Sequence, residues 1–85
     1  MTPRLRPGVR LHFDRVRDRW VLLAPERIVA LDETAQAILA QVDGATALDA
    51  IAAKLAADYD ADPADIAADA RSLLADLALK GYVAP

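Results

Sequence analysis

From Val9 the chain alternates between apolar and polar side chains, with Val9, Leu11 and Phe13 on one face and Arg10, His12 and Asp14 on the other. A period of two is that of a half-buried strand, so a first strand is predicted over residues 8–14. The charged stretch Arg15-Val16-Arg17-Asp18-Arg19 supplies a turn, and Trp20-Val21-Leu22-Leu23-Ala24 follows as an unbroken apolar run. Such a run of aromatic and branched residues reads as a strand buried on both faces. Pro25 and Glu26 turn the chain again, because proline pre-sets the backbone angle of a tight turn and has no N–H for a ladder. Arg27 to Leu31 is then a third strand. Ahead of all three, Thr2-Pro3-Arg4-Leu5-Arg6-Pro7-Gly8 holds two prolines and a glycine. They predict a flexible N-terminal arm over residues 1–7 without regular structure, followed by one domain over 8–85.

Beyond Leu31 the apolar spacing changes to three and four. Ala35, Ile38, Leu39 and Val42 recur behind Asp32, a capping residue, and before Gly44, which predicts a first helix over 33–42. Thr46-Ala47-Leu48-Asp49 has the reciprocal capping pattern. With the stripe Leu48, Ile51, Ala52, Leu55 and Tyr59 it gives a second helix over about 47–58. The third start signal is the strongest: Asp62 at the cap, Pro63 at the first helical position and Asp65 in the first turn all suit the helix dipole. This helix runs to about residue 80, where Lys80 and Gly81 are the expected stop, and Tyr82 and Val83 pack back as a short strand or tail. Alanine, 20 of the 85 residues, favours helix over sheet in this half. The order predicts an α+β domain, winged helix-turn-helix-like, with a three-stranded antiparallel sheet followed by a three-helix bundle.

Composition narrows the function. A chain of 85 residues with 55% hydrophobic side chains can close one core without a disulfide or a metal. The absence of cysteine excludes a thiol nucleophile, a zinc ribbon and an iron–sulfur cluster ligated by this chain. No apolar run has the length of a membrane span or a signal peptide, so a cytoplasmic protein with no membrane partner is expected. The net charge of −3 hides an asymmetry, since residues 1–32 carry +3 and residues 33–85 carry −6. A winged-helix nucleic-acid binder would concentrate Lys and Arg on its helices. Here the second helix sets Lys54 against Asp49 and Asp58, and the third carries Asp62, Asp65, Asp69 and Asp76 before Lys80. No nucleic-acid partner is expected.

Catalytic chemistry is equally hard to place. His12 is the only histidine and lacks an orienting partner or companion ligands in the pattern. Asp58-Tyr59-Asp60-Ala61-Asp62 spaces carboxylates as a calcium loop does, but lacks the glycine of the sharp turn and the terminal glutamate. There is no glycine-rich phosphate loop and no nucleophile elbow. The chain therefore reads as a binding module and not an enzyme, with no metal and no catalytic residue.

The third strand offers something to bind with. Ile28-Val29-Ala30-Leu31 has no charge, proline or glycine to blunt an edge, whereas the first strand is guarded by Arg10, His12 and Asp14. On the third helix Ile66, Ala70, Leu73 and Leu77 make a core stripe, and Ala67, Leu74 and Ala78 extend the apolar arc toward Arg71. A groove between that strand and that helix would accept an extended peptide. A wider core, or a structural dimer contact through the same edge, accounts for these residues equally well. Arg15, Arg17 and Arg19 crowd one exposed turn and are candidates for contact with carboxylates of a partner.

The order Trp20-Val21-Leu22-Leu23-Ala24-Pro25-Glu26-Arg27, then Leu31-Asp32-Glu33-Thr34-Ala35 with Ile38-Leu39 and Asp43-Gly44, resembles the PqqD family of pyrroloquinoline quinone (PQQ) biosynthesis peptide chaperones. The likeness continues through Ile51, Leu55, Tyr59, Ile66, Asp69, Leu73-Leu74, Leu77 and Gly81, and so covers residues 8–83. It implies a stand-alone precursor-recognition domain of ribosomal-peptide modification systems, with a winged-helix fold. It also implies binding of the precursor peptide PqqA and its presentation to the radical S-adenosylmethionine enzyme PqqE, which would hold the cluster and cofactor, this chain holding none. The family adds the peptide as a strand, which maps here to Arg27, Ile28, Val29, Ala30 and Leu31, and to Ala67, Arg71, Leu74 and Ala78 on the third helix. A monomer or weak homodimer is expected. Two positions depart from the family pattern: Thr46 stands one residue before the usual cap of the second helix, and Ala70 replaces a larger aliphatic residue.

Overall fold

The structure, a computed structural model, describes residues 1–84; Pro85, the end of the predicted domain, lies outside the described residues. In chain order the elements are β1 (Arg4–Leu5), β2 (Arg10–Asp14), β3 (Arg19–Ala24), β4 (Arg27–Ala30), α1 (Glu33–Leu39), α2 (Leu48–Tyr59), α3 (Pro63–Leu79) and β5 (Val83–Ala84). Strands β2, β3 and β4 form an antiparallel sheet in that order, and β1 pairs with β5 in a separate two-stranded ladder. The expected α+β arrangement of a three-stranded antiparallel sheet and three helices is present. Among the described residues no helix is long and apolar enough to cross a membrane.

Strand alternation builds the sheet's two faces. Leu11, Leu22 and Val29 lie opposite one another and face the helices, while His12, Val21 and Ala30 share the outer face. Leu22 is fully buried among Ile38, Leu39, Ile51, Leu55, Leu74 and Leu77. Phe13 and Trp20 stack edge to face at 5.3 Å toward the hairpin end of the same side. Helices α2 and α3 bury Ala52, Ala56, Ala67 and Ala70. Small side chains let helix backbones approach closely, and Ala70, where a larger residue was expected, has no exposed surface.

Each helix ends for a local reason. Asp32 accepts the Ala35 N–H at 2.7 Å and Asp62 accepts that of Ala64 at 2.9 Å, as predicted. At the end of α3 the Gly81 N–H donates to the Ala78 carbonyl and the Tyr82 N–H to that of Leu77, with Gly81 at φ +83°. This left-handed closure needs glycine, and it sends Tyr82 into the core beside β5. The first helix is shorter than predicted, closing at Ala40. Gln41 and Val42 N–H groups bond three residues back, to Ile38 and Leu39. Asp43 then gathers the Ala45 N–H, the Thr46 N–H and the Thr46 hydroxyl. These bonds, that of Ala45 foremost, hold the Asp43 carboxyl below the ordinary aspartate value. Thr46 is thereby taken up by Asp43 and does not cap α2, whose Ncap is Ala47 with no side-chain bond.

The N-terminal arm corrects the expectation that residues 1–7 lack regular structure. Prolines remove donors but leave carbonyls, and these are what the fold uses. The Met1 carbonyl accepts the Leu48 N–H at 2.9 Å, satisfying a free donor at the start of α2, and the Pro3 carbonyl accepts that of Gly44 at 3.0 Å. Pro3 is buried, and Arg4 and Leu5 pair with Ala84 and Val83. Deleting residues 1–5 should cost on the order of 3–5 kcal/mol, from a few hydrogen bonds at about 1 kcal/mol each and the burial of Pro3 and Leu5. Urea denaturation measures this; an unchanged midpoint would mean the arm contributes nothing to the fold.

Candidate binding edge

Among the described residues, strand β4 has a neighbour on one side only. The Leu31 N–H donates to the Trp20 carbonyl at 3.2 Å, and the register places Ala30 opposite Val21. In an antiparallel ladder, bonded and non-bonded pairs alternate. Arg27, Val29 and Leu31 therefore turn their backbone groups toward β3, while the N–H and C=O groups of Ile28 and Ala30 face the open edge. These have no backbone or side-chain partner among the described residues. Of the five predicted strand residues, Ile28 and Ala30 thus offer the ladder, and Val29 and Leu31 pack inward on the core. The same alternation turns the backbone groups of Leu11 and Phe13 outward on the opposite edge, β2.

The helix residues predicted for the groove are placed differently. Ala67 and Leu74 belong to the core, Leu74 being 2% exposed. Arg71 lines a separate cleft with Met1, Ala47, Leu48 and Asp49, and Ala78 is exposed two turns further on the same flank. The buried stripe is Ala67, Ala70, Leu74 and Leu77, and it leaves Ile66 and Leu73 half-buried on its other side. There Leu73, Asp69 and Ser72 meet Asp32, Thr34, Ala35 and Ile38 in an open cleft. Asp32 closely follows β4, so this flank of α3 lies near the end of the strand. The pattern contained the pair Ile66 and Leu73 at a spacing of seven, with Asp69 between them, but both apolar residues read as core.

Arg15, Arg17 and Arg19 are exposed at the β2–β3 hairpin. Asp14 organises that turn, accepting the Val16 and Arg17 N–H groups and the Arg17 guanidinium at 3.2 Å. The Arg17 backbone bond, foremost among these, holds the Asp14 carboxyl below its ordinary value. Arg17 is therefore partly neutralised, while Arg15 and Arg19 make no ion pair among the described residues. Arg17 and Arg19 border a shallow depression with Val21, Ile28 and Ala30 on the outer face of the sheet. His12 is exposed on that face, and no cluster of potential metal ligands occurs among the described residues.

The family model of coenzyme PQQ synthesis protein D (PqqD) matches residues 19–83. The chain is 56% identical over 78 residues to the PqqA binding protein of Xanthomonas oryzae pv. oryzae, with 92% of this chain and 85% of that one covered. It is 55% identical over 78 residues to the bifunctional coenzyme PQQ synthesis protein C/D of Methylorubrum extorquens, covering 92% of this chain but 21% of that protein. It is similar in fold to the PqqD truncation of Methylobacterium extorquens PqqCD, whose solution structure represents a functional, stand-alone recognition element for ribosomally synthesized and post-translationally modified peptides (RiPPs). That match has a TM-score of 0.86 at 52% identity and covers 98% of this chain and 88% of the other. PqqD from Xanthomonas campestris, in its crystal structure, matches with a TM-score of 0.63 at 50% identity, covering 89% and 84% of the two chains.

The placement of α3 separates two neighbouring leucines experimentally. Leu74→Asp buries a carboxylate in the core and should cost about 5 kcal/mol or more, enough to unfold the domain. Leu73→Asp, on the half-buried flank, should keep the far-ultraviolet circular dichroism of the parent. The reverse pattern would restore the predicted stripe.

Proposed function

The chain belongs to the coenzyme PQQ synthesis protein D (PqqD) family, and from that premise we propose that it binds the precursor peptide PqqA as a strand added to β4. It then presents the peptide to the radical S-adenosylmethionine enzyme PqqE, as a peptide chaperone of the cytoplasm with no catalytic step or cofactor of its own. The observation that carries this reading is the open edge of β4, where Ile28 and Ala30 each offer an unpaired N–H and C=O. In this reading the domain is winged helix-turn-helix-like, with the β2–β3 hairpin as the wing, and works as a monomer or weak homodimer.

Magnitudes are consistent with such a role. Two outward-facing residues give up to four ladder bonds at about 1 kcal/mol net each, and one or two buried apolar side chains add roughly 1.5–3 kcal/mol apiece. Several kcal/mol of association and ordering cost oppose them, so the ladder and one or two anchors together leave a modest net affinity. Side chains of an added strand alternate, so half of them point toward Asp69 and Leu73, and half toward Arg19 on the outer face. The hairpin arginines, on that outer side, meet carboxylates of PqqE.

Because the Ala30 N–H faces away from β3, Ala30→Pro removes an edge donor without breaking the sheet. It should weaken PqqA binding at least about tenfold by calorimetry with unchanged circular dichroism, whereas His12→Ala should leave the affinity as it was. Normal binding by Ala30→Pro would place the peptide elsewhere. Replacing Arg15, Arg17 and Arg19 together by serine should lower PqqE affinity and flatten its salt dependence; unchanged values would remove the hairpin from the interface.

A further inference from the structure

Where α1, α2 and α3 meet, a cleft of about 180 Å³ opens between Glu33, Thr34, Ala37, Ile38, Leu55, Tyr59 and Ile66. Ile38 and Leu55 are buried beneath it, Ile66 is half-buried, and Tyr59 stands 55% exposed without closing it. Ala37 of α1 contributes only a methyl group to its wall. An apolar cavity of about 150 Å³ accommodates a benzene-sized group, so this one has room for a single leucine- to phenylalanine-sized side chain. It shares Thr34 and Ile38 with the cleft of Asp32, Asp69 and Leu73. The two form a track that leads away from the end of β4 across the start of α1.

The track is negatively charged and has no cation of its own. Neither cleft is lined by Lys or Arg. Lys54 and Lys80 are engaged with Asp58 and Asp76, and Arg71 lies on the far flank of α3. The Glu33 and Asp69 carboxylates have no hydrogen-bond or ion-pair partner among the described residues. An occupant that buries an apolar side chain here meets uncompensated carboxylates at the rim, so complementarity requires it to bring a positive charge.

Resting on the reading that a peptide is added to β4, we infer that this track is a second subsite for the same peptide. Beyond the segment paired with Ile28 and Ala30, one large apolar residue inserts into the Ala37 cleft, and a neighbouring Lys or Arg sits against Glu33 and Asp69. The backbone ladder then supplies sequence-tolerant affinity, and this subsite selects which peptide, and which register of it, is held.

The test uses the full chain with synthetic PqqA, and with PqqA peptides in which each large apolar residue is singly changed to alanine and each Lys or Arg singly to glutamate. Ala37→Leu fills the cleft from within a helix that tolerates either residue. It should weaken PqqA at least tenfold, while one alanine peptide, lacking the anchor, should bind the parent and Ala37→Leu equally. Should Ala37→Leu not fold, Thr34→Phe at the exposed rim reads the same loss. Glu33→Lys combined with Asp69→Lys should also weaken PqqA, and one glutamate peptide should regain the loss. Unchanged PqqA binding by the cleft-filling variant, or an equal loss for every peptide, overturns the subsite. The Ala30→Pro variant keeps the two ideas apart: if it binds poorly while Ala37→Leu binds normally, only the subsite falls, and if it binds normally the strand-addition reading falls.

Discussion

Leu22 joins the sheet to the helices. It has no exposed surface and is the fully buried member of the three-stranded sheet in the helical core. With Leu22 turned inward, the two-residue period of a strand sends Val21 and Leu23 outward, and a slip of one residue would expose the whole apolar set. Leu11 and Val29 are then held opposite Leu22 on the inner face. The same register decides which backbone groups of β4 are spent on β3 and which are left at the edge. The availability of Ile28 and Ala30 is therefore a consequence of core packing and not a separate feature.

The helices respond to the same core. The stripe of Ala67, Ala70, Leu74 and Leu77 packs α3 inward, which turns Ile66, Asp69 and Leu73 toward α1. A short α1, ended where Asp43 captures the following backbone, starts directly after β4 and brings Asp32 and Thr34 beside that flank. The N-terminal residues complete the opposite end of the domain, their carbonyls closing the start of α2 while β1 pairs with β5. Positive charge is thereby kept with the hairpin side of the sheet and negative charge with the helical side. A bound strand at β4 would lie between the two.

Much of this was legible in the residues. Alternation identified the first sheet strand, an apolar run the second and the Pro25-Glu26 turn the start of the third, and Asp62-Pro63 and Gly81 bounded α3 closely because those signals are local and chemical. What the sequence could not resolve were choices made by distant contacts. On α3 the sets Ile66-Ala70-Leu73-Leu77 and Ala67-Ala70-Leu74-Leu77 share two members and have the same period, so the apolar arc covers both. Only the position of α2 and α1 decides which is buried. The bareness of the β4 edge was visible, but its phase was not, because that rests on a bond between Leu31 and Trp20 across a turn. The arm was misread because proline signals a missing donor, whereas Met1 and Pro3 act through carbonyls that every residue has. Thr46 had the right chemistry for a cap, and Asp43, three residues earlier, competed for it.

If one edge of the sheet receives the peptide, two residues of that edge, Ile28 and Ala30, carry the ladder. Hydrogen exchange by nuclear magnetic resonance, on labelled protein with and without saturating PqqA, reads those amides one at a time. Strand addition at β4 predicts that the Ile28 and Ala30 amides gain strong protection on binding, while those of Leu11 and Phe13 on the β2 edge exchange as in the free protein. Protection appearing at Leu11 and Phe13, or at neither edge, would contradict it.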